Sequence, residues 1–322
     1  MNKVIDCFTF FNELDLLEIR LKYLYDTVDY FVIVEADTSF NGDSKEMVFK
    51  DNMARFAPFK DKIVFVPIKI KIFEQEKGVA WKREVYQRDC IQEGLNKLHL
   101  NDNDLVLISD IDEIPNKDII INLKNNSAVK ISTITKKSNF NLIVKSVFYF
   151  LKSIFYKIIN KDIWKLRSQL KLIYFIIIKK FPVPFSFEMN NNYYYLNYQK
   201  KDSYWPGLQC VQAGWMKKFT PNEVRAFRVN PIQIIKDGGW HFSFLGGKEM
   251  IKYKIKNFSH QEYNIPEIVS DDYIDFCIQN GYSLFEYYKN SNAKPKYEKL
   301  DISHLPSDLR NIIVDYKSLI LE

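Results

Sequence analysis

Leu105-Val106-Leu107-Ile108-Ser109-Asp110-Ile111-Asp112-Glu113-Ile114-Pro115 decides the reading of this chain. Its first four residues are an unbroken apolar run, the pattern of a strand buried on both faces of a parallel sheet. The run stops at Ser109, and Asp110, Asp112 and Glu113 follow within four residues. Pro115 then reads as the opening of a helix, with Asp118 adding negative charge near its start. In open α/β sheets ligands bind beyond the carboxyl ends of the strands, where these acids fall. Asp110 and Asp112 are two residues apart, so an extended backbone sends both to one side and turns Ile111 into the sheet. Three clustered carboxylates repel one another unless a proton or a cation neutralises them. Carboxylate oxygens suit Mg²⁺ or Mn²⁺ and can share such an ion with a substrate phosphate. The plainer alternative is an acidic turn that caps the following helix.

The chain before this strand alternates strands with helices. Lys3 to Phe11 is a first strand, broken by Asn12, and Leu14, Leu17, Leu21, Leu24 and Val28 mark one buried helical stripe. Tyr30 to Ala36 is a second buried strand that ends at Glu35 and Asp37, followed by a polar turn from Ser39 to Ser44. Lys62 to Ile70 is a third, with Pro67 placing it at a sheet edge. A helix from Val79 to Leu98 is expected to turn Trp81, Val85, Ile91, Leu95 and Leu98 inward and Arg83, Glu84 and Arg88 along another face. This order predicts a nucleotide-binding α/β half. There is no Gly-x-Gly-x-x-Gly and no P-loop, which weakens dinucleotide and P-loop readings.

Beyond Ser132 the texture changes. Lys136 to Lys180 interleaves lysines with Phe, Leu and Ile, and Asp162 is its lone acid. This segment reads either as a buried helical pair or as a basic amphipathic stretch at a membrane surface. Phe185 to Tyr198 returns to strand-like alternation. Trp205-Pro206-Gly207 reads as a turn, Leu208 to Met216 as a strand, and Pro221 to Arg228 as a short helix capped by Thr220. Gly246-Gly247 opens a lysine-rich helix to Asn257, another helix runs from Pro266 to Gly281, and the tail holds a last short one.

Composition narrows the classes. A length of 322 residues allows one large domain or two modest ones. Aromatic residues make up 16%, enough for a large core and for sugar or base platforms. The net charge of +6 is spread among 40 acids, so a nucleic-acid footprint is not expected. Cys7, Cys90, Cys210 and Cys277 are scattered without a CxxC pair, which argues for a reducing compartment and against a thiolate zinc site. The amino terminus runs into a strand without a signal-like apolar region. No apolar run approaches the roughly 20 residues a spanning helix needs.

Asp237-Gly238-Gly239-Trp240-His241-Phe242-Ser243 is the second informative stretch. Paired glycines let backbone pass close to a ligand, and Trp240 and His241 follow at once. His241 would complete a site begun by Asp110 and Asp112 and favour Mn²⁺, or it is a histidine hydrogen-bonded in a turn. His260, in Ser-His-Gln-Glu, carries the same two readings and leans to the second.

FFNELDLLEIRLKYL, VDYFVIVEADTSFNG, REVYQR, LISDIDEIP, GGWHFSF and FSHQEYN occur in an order that resembles glycosyltransferase family 17. That family includes the enzyme that adds the bisecting β1,4-N-acetylglucosamine to N-glycans. The resemblance covers roughly 1–130 and 185–265. It implies a GT-A-like, Rossmann-like α/β fold, with a mixed, mainly parallel sheet flanked by helices. It implies a UDP-sugar donor, UDP-GlcNAc foremost, with Mn²⁺ or Mg²⁺, a glycan acceptor and inversion at the anomeric carbon. One domain would comprise a donor-binding half (1–135), a basic helical insertion (136–184) and an acceptor-side half (185–322). Asn12, Glu13, Glu35 and Asp37 would meet uridine, Arg83 and Arg88 the diphosphate, and Trp240 the donor. Asp237, Glu188 and Glu113 are the candidates for the catalytic base. The membrane-anchoring amino terminus of the family's eukaryotic members is not expected here, and a Golgi role is not expected with it. The expected location is cytoplasmic, with peripheral membrane contact through 136–180 and no nucleic-acid partner. A metal-dependent phosphotransferase or nuclease, which calls for a steeper basic surface, and a non-catalytic carbohydrate-binding protein are the alternatives.

Overall fold

Strands β1 (Val4–Phe10), β2 (Tyr30–Ala36) and β4 (Leu105–Asp110) lie side by side because each is an apolar run that water cannot solvate. The computed structural model describes residues 2–70, 78–125, 134–136, 171–172, 174, 184–229, 231–292, 294 and 296–322. The expected insertion 136–184 therefore falls almost wholly outside the described residues.

The other strands are β3 (Ile63–Ile68), β5 (Glu113–Pro115), β6 (Ile134–Lys136), β7 (Phe185–Tyr193), β8 (Tyr198–Gln212), β9 (Gln233–Ile235), β10 (Gly239–Ser243) and β11 (Tyr297–Lys299). The helices are α1 (Leu14–Leu24), α2 (Val48–Asp51), α3 (Val79–Asp89), α4 (Ile91–Asn96), α5 (Lys117–Lys124), α6 (Pro221–Arg225), α7 (Gly247–Asn257), α8 (Asp271–Gln279), α9 (Leu284–Lys289) and α10 (Ser307–Ile313). The main path through the sheet is β3-β2-β1-β4-β8-β7-β10-β5.

The sheet is mixed, and the expectation that it is mainly parallel is corrected. From β3 to β4 every pairing is parallel, with Cys7 opposite both Val32 and Ile108. Beyond β4 the long strand β8 runs back antiparallel to both β4 and β7. The β7–β10 pair is parallel again, and β10–β5 is antiparallel. One apolar layer packs α1 and α10 against one face around Phe8, Leu17, Leu107 and Trp240. A second packs α4 and the segment after β8 against the other, around Val32, Ile108 and Trp215. A third, rich in tyrosine, joins Tyr193 and Tyr297 to Ile251 and Ile274.

Several local expectations need correction. Trp205-Pro206-Gly207 is not a turn but lies inside β8, where Pro206 sits at a register shift opposite Glu188. A bulge needs no ladder hydrogen bond at that position, so proline is tolerated there. β8 ends at Gln212, and Ala213–Lys217 is 3₁₀ rather than strand. Pro115 closes β5 instead of opening a helix; Asn116 caps α5 by accepting from the Asp118 N–H at 3.0 Å. The long helix expected over 79–98 breaks at Cys90, and α8 starts at Asp271 instead of Pro266. On α3 the expected faces are exchanged: Arg83, Gln87 and Arg88 are buried, while Trp81 is 42% exposed. Buried polar partners decide this, since Gln87 donates to the Phe10 and Val34 carbonyls at 3.3 and 3.0 Å. The four cysteines are all buried free thiols. Among the described residues no helix is long and apolar enough to cross a membrane.

Candidate active site

The acidic turn after β4 is held from beneath by one residue. Arg20 projects from α1 into the interior and is fully buried. Its guanidinium grips Asp6 of β1 with two bonds, Nε to Oδ2 at 2.8 Å and Nη2 to Oδ1 at 2.6 Å. It also donates to Ser109 Oγ at 2.7 Å and to the carbonyls of Asp110, Ile111 and Glu113 at 3.0, 3.0 and 2.9 Å. Three carbonyls of the turn aimed at one cation fix it, so that Asp110 and Asp112 line one cavity while Ile111 packs in the core. This supports the two-residue spacing argument. Neither Asp6 nor Arg20 was expected at the site, although a lone acid in an apolar strand and a lone arginine between buried leucines were the visible signals.

The carboxylates meet cations that the chain itself supplies. Asp110 accepts from Arg88 of α3 at 2.9 Å and from Arg225 of α6 at 2.8 Å. Burial alone would raise its pKa, but Arg225 and Arg88 outweigh it and hold the group well below the usual carboxylate range. Asp112 accepts from Lys254 of α7 at 2.9 Å and has His241 Nε2 at 3.7 Å. Burial again opposes ionisation, and Lys254 and His241 reverse it. Glu113 is fully buried under Arg225, the Trp205 indole N–H at 2.6 Å and the Asp110 N–H at 3.2 Å. Arg228 stands beside them with its Nη1 unpartnered among the described residues. Burial and then Arg225 push its pKa down to about 10.

Strand alternation sorts the second cluster. His241 and Ser243 line the cavity, while Trp240 and Phe242 face the core. Trp240 packs edge-on against Tyr23 at 6.1 Å, which removes it from donor contact. His241 stacks flat on Trp205 at 4.3 Å and shares Nδ1 with Asn191 Oδ1 at 3.2 Å. Burial lowers its pKa from the usual histidine value, with Asp112 pulling the other way. Gly239 is required where β10 meets β5, because a Cβ there would lie 2.1 Å from the Ile114 carbonyl.

The cavity holds about 410 Å³. Of the residues expected at the site, Glu13, Arg88, Asp110, Asp112 and His241 line it. The others do not. Asn12 gives its backbone N–H to Glu13. Glu35 is buried and accepts from the Phe49 and Lys50 N–H groups and Lys45, fixing the loop before α2. Asp37 accepts from Thr38 and the Ile70 N–H. Arg83 donates to the Phe40 carbonyl at 2.9 Å and packs on Gly42. Asp237 is exposed in a turn before β10, and Glu188 of β7 accepts from the Gly238 N–H through its carbonyl at 2.7 Å, both off the cavity. Unexpected lining residues include Arg228, Lys254, Trp81, Glu84 and Trp205, and His260, read chiefly as a turn histidine, also lines the cavity.

A divalent ion is the remaining question of composition. Both Asp110 oxygens carry a guanidinium, one Asp112 oxygen carries an ammonium, and among the described residues no three metal-ligating side chains converge. The donor set as arranged does not fit a resident cation.

Residues 1–134 match the family model of glycosyltransferase family 17. The resemblance read from the sequence is borne out over that segment, whose end holds the acidic turn. The chain is also similar to the beta-1,4-mannosyl-glycoprotein 4-beta-N-acetylglucosaminyltransferases of Rattus norvegicus and Homo sapiens, each 29% identical over 126 residues. The aligned part is 38% of this chain and 23% and 24% of the rat and human proteins, so the match spans about a quarter of the relatives' length. The family and the relatives' names support an enzyme of the glycosyltransferase class. Gly238–Ser243 and Phe258–Asn264 lie beyond the matched residues.

Proposed function

We propose that this chain transfers a sugar from a nucleotide-sugar donor, UDP-GlcNAc foremost, to a glycan hydroxyl with inversion, on a GT-A-like fold. One observation carries the reading. Beyond the parallel strands β1 and β4, one cavity gathers Asp110, Asp112, Arg88, Arg228 and Lys254, and among the described residues the Nη1 of Arg228 lacks an acceptor. A buried guanidinium N–H without an acceptor is costly, and a diphosphate oxygen supplies what it lacks. The aromatic residues around it, including Trp81, Phe258 and Tyr263, suit a base or a sugar face. In this reading 1–135 forms the donor side together with Arg228 and Lys254, and the rest of 185–322 the acceptor side.

The departing diphosphate acquires charge as its bond to the sugar breaks. Arg228, Arg88 and Lys254 offset that charge where the surroundings are poor in water. Mn²⁺ or Mg²⁺, suggested by Asp110 and Asp112, would enter only by displacing Lys254 and an arginine. The test is a thermal-shift series with UDP, GDP and CMP, each with EDTA or Mn²⁺. UDP should stabilise selectively, and Arg228→Ala should lose the shift while melting near the parent temperature without ligand. Asp112→Asn, by freeing Lys254, should strengthen UDP binding in EDTA and abolish any added stabilisation by Mn²⁺. No shift with any nucleotide would reject the donor assignment.

A further inference from the structure

None of the three acids expected to serve as the base lines the cavity, yet inverting transfer needs a group to accept the acceptor's proton. His260 occupies the right kind of position. α7 stops at Asn257, and Phe258 turns extended. Gln261 pins the turn by donating to the carbonyls of Lys256 and Phe258 at 3.1 and 2.6 Å. A 3₁₀ turn over Gln261–Tyr263 follows, with His260 at its start. This local geometry sets Glu262 beside the imidazole, with Oε1 at 2.7 Å from Nδ1.

An ionised carboxylate only accepts, so Nδ1 carries the proton and the lone pair is on Nε2. Nε2 has no hydrogen-bond partner in the described structure. The ring meets Trp81 edge-on at 4.6 Å, and its side chain is 45% exposed at the cavity wall. The other ionisable groups on this wall are committed. Asp110, Asp112 and Glu84 are ion-paired, and His241 lies buried beneath Trp205. Glu13 spends one oxygen on the N–H groups of Phe11 and Asn12 at 3.3 and 3.0 Å. Helix α3 gives the scale. Trp81 and Arg88 are seven residues apart on its cavity face, about 10 Å along the axis. That span separates the phosphate end from the imidazole by room for a sugar ring and an incoming hydroxyl.

We propose that His260 is the general base of the transfer and that Glu262 is its positioning residue. The assignment rests on the sugar-transfer reading above. The acceptor hydroxyl gives its proton to Nε2 as its oxygen bonds to the anomeric carbon. The bond from that carbon to the diphosphate oxygen breaks, and its electron pair leaves with UDP. The exposed imidazolium then returns its proton to water.

The experiment uses the full chain with UDP-GlcNAc, following UDP release to water and to p-nitrophenyl β-D-mannopyranoside. His260→Gln should bind UDP within about twofold of the parent but release it on the order of a hundredfold more slowly. Added imidazole should restore part of the rate to His260→Ala, and Glu262→Gln should lower kcat and move the pH profile. Imidazole ¹⁵N spectra, assigned through the loss of one signal in His260→Gln, should show the Nδ1–H form and a shift on adding UDP-GlcNAc. An Nε2–H form, an unchanged rate in His260→Gln, or the same rate loss in Glu13→Gln instead would overturn the assignment. Failure of the parent protein to bind UDP or UDP-GlcNAc would fell the transfer reading, and this proposal with it.

Discussion

Replacing Arg20 with methionine tests the claim that one guanidinium builds the acidic turn. Methionine keeps the length of the side chain and its packing over Phe8, whose ring lies 4.3 Å from the guanidinium carbon. The substitution leaves the Asp6 carboxylate bare in the interior, where breaking a buried ion pair costs about 3–5 kcal/mol. Three carbonyls also lose their donor, and each unsatisfied group adds about 1 kcal/mol or more. The sum, on the order of 6 kcal/mol, is a large part of a typical stability of about 5–15 kcal/mol. At about 2 °C per kcal/mol for a chain of this size, melting should fall by roughly 12 °C. Adding Asp6→Asn removes the stranded charge and should recover around half of the loss, leaving the carbonyl part. Circular dichroism melts of the single and double variants make the comparison. A single variant within about 1 kcal/mol of the parent, or a double variant no better than the single, would refute the reasoning.

Two further outcomes follow from the site. Gly239→Ala should abolish soluble expression or cost several kcal/mol, because φ of +145° and the Ile114 carbonyl both exclude a Cβ; a parent-like melt would show that β5 and β10 can separate. Asp110 and Asp112 have folded pKa values below their unfolded ones, so the stability they contribute is present above about pH 4 and lost as pH falls through the folded values. Melts between pH 2.5 and 7 should therefore decline steeply below pH 4, and Lys254→Met should flatten that decline.

The parts of this fold legible in the sequence were those carried by short-range pattern. β1, β2 and β4 announce themselves as apolar runs, and the carboxylates fall where β4 meets solvent. The Thr220 cap was equally visible, since a capping box needs only Glu223 three residues on. Long-range charge pairing leaves no such trace. Arg225 reaches Asp110 from more than a hundred residues away and Arg228 stands beside it, although charges among Val224, Ala226, Phe227 and Val229 hinted at buried partners. Lys254 cannot be told from Lys248, Lys252 or Lys256 by spacing. Turn chemistry misled at Trp205-Pro206-Gly207, where proline marks a bulge in a continuing strand. The glycines before Trp240 suggested a ligand loop near Asp237, whereas Gly239 answers the steric demand of a neighbouring strand.

The pairing of Asp110 and Asp112 with arginines and a lysine has a consequence for how an anion would arrive. A bare basic patch attracts phosphate from a distance, and that attraction fades quickly as salt is added. Here Arg88, Arg225 and Lys254 each already have a carboxylate in contact, so beyond Arg228 an incoming diphosphate must compete for hydrogens that are in use. Its binding free energy becomes the difference between two similar ion pairs, and added salt weakens both sides of the exchange. Partner exchange would also release the carboxylates as the anion docks. The resting cavity then acts as a discriminator: it yields to a ligand whose oxygens engage several of these cations at once, and a singly charged anion gains little by entering.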